Sequence, residues 1–428
     1  MKKIKYLLLF LVMSIISCQS GRVNDKKAGD ENQKSAPVLV NENIRARIDS
    51  TLKSMVQSGK IAGVSALIHE NEKEVYYNAF GFADREAKTE MDRNTVVRIY
   101  SMTKPITGTA LMQLYEKGAF KLDDPLAKYA PAFADMEVFA GVDAAGNIKT
   151  EPVNRPITIR DLTRHTAGFA REEHPVLGEL VKKADAMNRE NTLSEMAEKL
   201  SSLPLAFQPG EEWSYGVSVD VQAYLVEVLS GKAFDNYMKE NILDPLDMDN
   251  TNYVPGDLEK LAAMYNMGED GELNRIPDEE ANFFNEKSWP LKPGGWGLTS
   301  TLDDYMNFAR MLVNEGEFRN KRILKEETVK LMSTNQLAES VTERMWLPTK
   351  GRVGFGIDFA VRLDPPLTSD ENNGTVGEFF WDGAASTLFW VDPVNQITAV
   401  LFVQKFPFDG ELHKKFRDAV YGKFDDLK

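Results

Sequence analysis

A serine and a lysine three residues apart, Ser101-Met102-Thr103-Lys104, stand where a β-branched and aromatic run, Thr95 to Tyr100, gives way to apolar positions at helical spacing from Pro105 to Gly118. Positions i and i+3 of a helix share a face, so the lysine nitrogen comes within hydrogen-bond reach of the serine oxygen. A serine hydroxyl is a poor nucleophile until something takes its proton, and a neighbouring amine can do so. The change from strand-like to helical pattern also puts Ser101 at or near a helix N-terminus, where free N–H groups and the positive dipole end favour the attacking alkoxide. Taken alone, the four residues read more readily as a capping serine followed by a surface lysine.

Further segments change that balance. Ile157 to Gly168 (with His165), Trp213-Ser214-Tyr215-Gly216-Val217-Ser218-Val219-Asp220-Val221, Gly294-Gly295-Trp296-Gly297-Leu298 and Trp381-Asp382-Gly383 follow in that order. Together with Ser101 and Lys104 they resemble the serine β-lactamase and penicillin-binding-protein-like superfamily, and within it the esterases similar to class C β-lactamases. The resemblance runs from about Asn41 to the C-terminus. It implies an α/β (α+β) fold of the β-lactamase/transpeptidase kind, an antiparallel sheet flanked by helices with a second, mostly helical lobe. It gives Tyr215 the place of the family's Tyr-x-Asn tyrosine, so that Lys104 and Tyr215 act as one coupled proton acceptor. A phenol titrates near pH ~10, and an ammonium beside it favours the phenolate. The resemblance also implies an oxyanion hole made of the backbone N–H groups of Ser101 and Ala384.

Two departures from the family pattern bear on substrate. β-Lactamases and transpeptidases carry Lys-Thr-Gly where this chain has Trp381-Asp382-Gly383, and Val217 stands where an asparagine would meet a β-lactam side-chain amide. The cation that would meet a substrate carboxylate is gone, and Asp382 brings the opposite charge. A pocket of Trp381, Asp382, Gly383, Val217 and Trp296 is therefore expected to take small neutral carboxylic esters, although Trp296 also reads as a packing residue. The competing readings are a β-lactamase or D-amino-acid peptidase/transpeptidase on peptidoglycan-like substrates, an acyltransferase passing the same acyl group to an alcohol, and a non-catalytic envelope protein. A silent relative need not keep Ser101, Lys104 and Tyr215. His165 is assigned to a structural turn. His69, His174 and His413 are isolated, so neither a metal nor another cofactor is implied. No Gly-x-Ser-x-Gly elbow supports an α/β-hydrolase.

The elements that must hold these residues can be read from periodicity. A helix is expected from Asn41 to Gly59, strands from Ala62 to His69 and Glu74 to Phe82 around a polar turn, and mostly helix and loop from Ser101 to about Asn285. A helix from Thr301 to Val313 precedes strand-like runs at Phe355 to Arg362, Glu378 to Phe380, Thr387 to Val391 and Thr398 to Gln404, and a last helix starts at Leu412. Strands from both ends must then share one sheet, with an α/β lobe from about 39–100 and 290–428 and a helical lobe at about 101–289, and with Glu378 to Gly383 as an edge strand beside the cleft.

Residues 1–17 read as a secretory signal, and Ile15-Ile16-Ser17-Cys18 resembles a lipoprotein cleavage box with Cys18, the sole cysteine, as the lipidated residue. Residues 18–38 are polar and aperiodic, a tether for a hydrolase domain at 39–428 held to the bilayer by acylated Cys18, in the periplasm of a bacterial envelope, on the outer membrane. The chain carries 51 basic and 65 acidic residues, a net −14, which opposes nucleic acid and anionic surfaces. A small-molecule ester is the expected partner; oligomeric state leaves no mark on the sequence.

Overall fold

The computed structural model describes residues 39–424; the signal, Cys18 and the whole tether fall outside them. Helix α1 (Glu42–Gln57) starts where the Asn41 side chain accepts the N–H groups of Asn43 and Ile44, and it buries Ile48, Leu52 and Met55. Strands β1 (Gly63–Glu70) and β2 (Lys73–Asp84) are joined at Asn71 and Glu72, whose φ values of 50° and 65° give the left-handed pair a tight hairpin needs. After the short β3 (Thr89–Glu90), the sheet resumes in the last quarter of the chain with β4 (Val353–Phe355), β5 (Ala360–Arg362), β6 (Phe379–Asp382), β7 (Leu388–Asp392) and β8 (Ile397–Phe402). The eight strands lie in the order β4-β5-β6-β7-β8-β1-β2-β3 with every ladder antiparallel. The two ends of the chain meet where Ser65 pairs with Phe402 and Glu70 with Ile397. Every residue of β8 is buried, the pattern of a strand covered on both faces.

Between the two sheet segments lie α2 (Thr103–Glu116) and α3 (Ser218–Ser230), with a hairpin of Glu137–Val142 and Ile148–Pro152 that periodicity did not foretell. The sheet is then covered by α4 (Leu302–Val313) and α5 (Gly410–Tyr421). Neighbouring residues of a strand point to opposite faces. Phe389 of β7 meets Tyr305 of α4 at 4.9 Å and Trp390 meets Phe416 of α5 at 5.2 Å, so these helices lie on opposite sides. Helix α2 differs from its amphipathic reading: every residue from Thr103 to Leu114 is buried. Its hydroxyls are satisfied inside the protein, Thr107 donating to Gly294 O at 2.7 Å and Thr109 to Pro105 O at 2.9 Å.

Two strand readings need correction. The run Phe355 to Arg362 is broken into β4 and β5 at Asp358, which adopts φ 59° and points a buried carboxyl at Gln222 (Nε2 to Oδ1, 3.1 Å). Strand β6 lies inside the sheet and not at its edge. Only Phe379 and Phe380 pair with β5, however, so Trp381 and Asp382 run past the end of that neighbour and are open on one side.

Candidate active site

Ser101 lies in a single 3₁₀ turn, Tyr100–Met102, that leads directly into α2. The turn is costly, because Tyr100 adopts φ 44°, a region that aromatic residues rarely enter. Its surroundings hold it there: the Tyr100 ring meets Phe406 edge-on at 5.4 Å, Met102 N–H donates to Ile99 O at 3.0 Å, and the buried Tyr305 hydroxyl donates to Met102 O at 2.8 Å. Ser101 is thereby half-exposed at the start of a buried helix.

Lys104, only 4% exposed, reaches back one turn. Its Nζ donates to Ser101 Oγ at 3.3 Å and to Gly295 O at 2.7 Å, and it lies 4.4 Å from the centroid of the Tyr215 ring. Among the described residues no carboxylate touches it. Two buried acids, Asp220 and Asp358, act on it through their charge, and Asp220, in the first turn of α3, accepts the Gly295 N–H at 2.9 Å. Gly295 therefore hangs between acid and amine, its N–H on one and its C=O on the other. A side chain there would be tight: a Cβ would come 3.0 Å from Asp220 Oδ2 and 3.1 Å from Lys104 Nζ, so one of those side chains would have to give way. Burial pushes the Asp220 carboxyl up to about 6, with the Lys104 charge and backbone N–H groups, Gly295's first among them, pulling the other way. Sequence reasoning missed this acid, although a lone charge in the apolar stretch Val219-Asp220-Val221 was a signal for it.

Tyr215 is packed on several sides by rings. His165 stands 4.7 Å away, Trp346 5.1 Å, Trp381 5.4 Å and Trp213 5.9 Å, the last stacked. The Trp381 indole N–H donates to the Tyr215 hydroxyl oxygen at 3.2 Å, and Tyr215 N–H donates to Met345 Sδ at 3.1 Å. A ring N–H thus does here what an ammonium would do in a Lys-Thr-Gly strand, without the charge. His165 is fully buried at φ 58°, and burial, with the Lys104 charge second, drives its pKa well below the usual imidazole range. It meets Tyr215 as a neutral ring.

Ala384 is exposed in the turn after β6, and no hydrogen bond within the described residues uses its N–H or that of Ser101. Gly383 presses that turn against the segment that leads into Ser101, since a Cβ on it would come 2.4 Å from Ile99 O. Val217 is half-buried at the start of α3, its C=O taking the Asp220 and Val221 N–H groups. Trp296 is set apart from the Tyr215 rings and packs on Phe284 at 4.5 Å. Asp382 is where the expectation fails. Because residues alternate along β6, it faces away from Trp381, is 7% exposed, and forms an ion pair with the equally buried Lys350. It presents no free negative charge to a substrate. Among the described residues no group of three or more His, Cys, Asp or Glu side chains could hold a metal ion.

Comparison with known proteins gives the family and the fold. The family described as Beta-lactamase matches residues 48–421. A Mycobacterium tuberculosis protein with no assigned activity is 31% identical over 84% of this chain and 89% of its own length. The lovastatin esterase of Penicillium rubens is 27% identical, covering 89% of this chain and 99% of its own. Among solved structures, EstCE1, a hydrolase with promiscuous acyltransferase activity, superposes with a TM-score of 0.74 at 26% identity over 89% of this chain and 99% of that one. The chain belongs to the β-lactamase family of serine hydrolases.

Proposed function

We propose that the protein cleaves small neutral carboxylic esters through an acyl-enzyme on Ser101. The observation that carries this reading is the contact of Lys104 with both Ser101 Oγ and the Tyr215 ring, with an uncharged indole N–H on the Tyr215 oxygen. Ser101 Oγ attacks the ester carbonyl and its proton passes to the Lys104–Tyr215 unit. The carbonyl oxygen, now negative, is met by the N–H groups of Ser101 and Ala384; the alcohol leaves with the returned proton, and water repeats the sequence to free the acid. Trp381 offers a substrate carboxylate no countercharge, and Lys350, the cation behind it, is spent on Asp382. A charged acyl donor such as a penicillin would lose its hydration without recompense, whereas a neutral ester loses little. Names of relatives such as lovastatin esterase support ester chemistry over β-lactam chemistry. The test is a kinetic comparison: kcat/KM for short-chain p-nitrophenyl esters should exceed that for nitrocefin or benzylpenicillin by orders of magnitude, and parity would refute the ester reading.

We also propose that Cys18 carries the lipid that tethers this domain to the bacterial envelope. No helix among the described residues is long and apolar enough to cross a membrane. Expressed with its own leader, the wild type should sediment with membranes and Cys18→Ala should not; equal partitioning rejects the anchor.

A further inference from the structure

The second oxyanion donor sits on a four-residue turn that is held both from within and by contacts from outside it. Ser386, fully buried, closes that turn at φ 66°, a conformation unfavourable to a residue with a side chain. Two hydrogen bonds are local, Ser386 N–H to Gly383 O at 2.9 Å and Gly383 N–H to Thr387 O at 3.0 Å. Other contacts reach outward. Ser386 Oγ accepts the Asp409 N–H at 3.0 Å, at the cap of α5, and donates to Lys405 O at 3.3 Å, while Lys405 N–H donates to Ala385 O at 3.2 Å. From the first turn of α5, the His413 ring places Nε2 3.0 Å from Ser386 O. A carbonyl only accepts, so His413 must hold its proton on Nε2 and donate. Its other nitrogen faces Asp382 Oδ2 at 3.9 Å, and that carboxylate is already bound to Lys350.

We infer that His413 is a positioning residue for the oxyanion hole: its Nε2–H pins Ser386 O, and so fixes the turn that aims the Ala384 N–H at the reacting carbonyl. The inference rests on the acyl-enzyme reading above and adds a residue 29 positions from Ala384 in sequence, on a helix of the opposite sheet face from the nucleophile's support. Burial holds the His413 pKa down to about 4, against the Asp382 charge that pulls it up and with the Lys350 charge that pushes it further down, so the imidazole is a neutral donor near neutral pH. A donor that gathers strength only as the carbonyl oxygen becomes negative acts on the transition state, so loss of its aim falls on kcat and spares KM.

The test compares His413→Leu with His413→Gln, whose amide NH₂ reaches the place of Nε2. Deleting an oxyanion donor outright costs about 10²–10³ in kcat, and a misaimed one should cost at least ~10-fold. His413→Leu is expected to lower kcat by that factor on a p-nitrophenyl ester with KM within about threefold, and His413→Gln to recover most of it. A folded His413→Leu with wild-type kcat, or equal losses in both variants with KM rising in step, overturns the inference. Should His413→Leu not fold, His413→Gln against His413→Asn decides, because the shorter amide cannot reach Ser386 O; equal kcat in that pair is likewise contrary. Fluorophosphonate labelling of Ser101 in the wild type is scored alongside. If the wild type neither labels nor turns over esters, the acyl-enzyme reading fails; if it does both and the variants behave alike, only the role of His413 fails.

Discussion

Two lysines lie by the end of strand β6, Lys104 in front beside Ser101 and Lys350 behind at Asp382, and their surroundings treat them in opposite ways. Lys104 touches a hydroxyl, a carbonyl and the face of a tyrosine ring, and among the described residues the buried acid Asp220 acts on it across the Gly295 peptide. Lys350 is in direct contact with the Asp382 carboxylate and is flanked by the rings of Phe408 at 4.5 Å, Trp346 at 5.1 Å and Trp381 at 5.6 Å. Both amines are buried. A lysine in contact with a carboxylate has its proton fixed by Coulomb attraction, whereas one held by neutral acceptors beside an acid set apart can exchange a proton with a nearby hydroxyl. The contrast separates a group placed for chemistry from one placed for structure within a few residues of the same strand.

The strongest way to break that contrast is at the front. Lys104→Ala or Tyr215→Phe should each lower kcat/KM by about 10²-fold or more with a modest effect on melting temperature, and the double variant should lose far less than the product of the two. Additive losses in the double-mutant cycle would show two independent groups. At the back the effects should reverse. Lys350→Met or Asp382→Leu alone strands a buried charge and should destabilise the fold by about 3 kcal/mol or more, while the double change restores much of that loss, as apolar replacement of a buried pair usually does. Chemical denaturation of the three variants checks this, and a double variant no more stable than either single one contradicts it.

A smaller effect belongs to Asp220. Its folded pKa lies above its unfolded one, so between pH about 4 and about 6 the native state binds more protons than the unfolded chain, and stability is lost as pH rises through that window. The loss is bounded by roughly 3 kcal/mol for a shift of about two units. Asp220→Asn keeps an acceptor for the Gly295 N–H and removes the titration. Its stability relative to wild type should therefore improve from pH 4 to pH 6, as read from urea midpoints. A constant difference across that range would mean the carboxyl ionises normally.

What the sequence disclosed follows from distance along the chain. Ser101 and Lys104 are neighbours on one helical turn, and the hairpin of β1 and β2 carries its own turn residues, so spacing alone places them. Tyr215 and Trp381 are far from Ser101, and only the order of motifs pointed to them. The pairs Lys350 with Asp382, His413 with Ser386 and Asp220 with Gly295 have no local pattern, because each joins segments that meet only after the sheet closes. Asp382 was misread for the same reason: the charge was visible, but the facing of a residue depends on where the strand begins, and β6 starts at Phe379 and continues through Trp381 to Asp382. Likewise the break at Asp358 rests on a buried bond to Gln222 that periodicity in the apolar run could not reveal.

All of these contrasts assume that the hydroxyl beside Lys104 is the group that attacks. Mass-spectrometric mapping of the adduct formed by a fluorophosphonate on the wild-type protein tests that most directly. The account predicts a single adduct on Ser101, and a folded Ser101→Ala variant that neither labels nor turns over an ester. An adduct on any other serine, or undiminished labelling of Ser101→Ala, would contradict it.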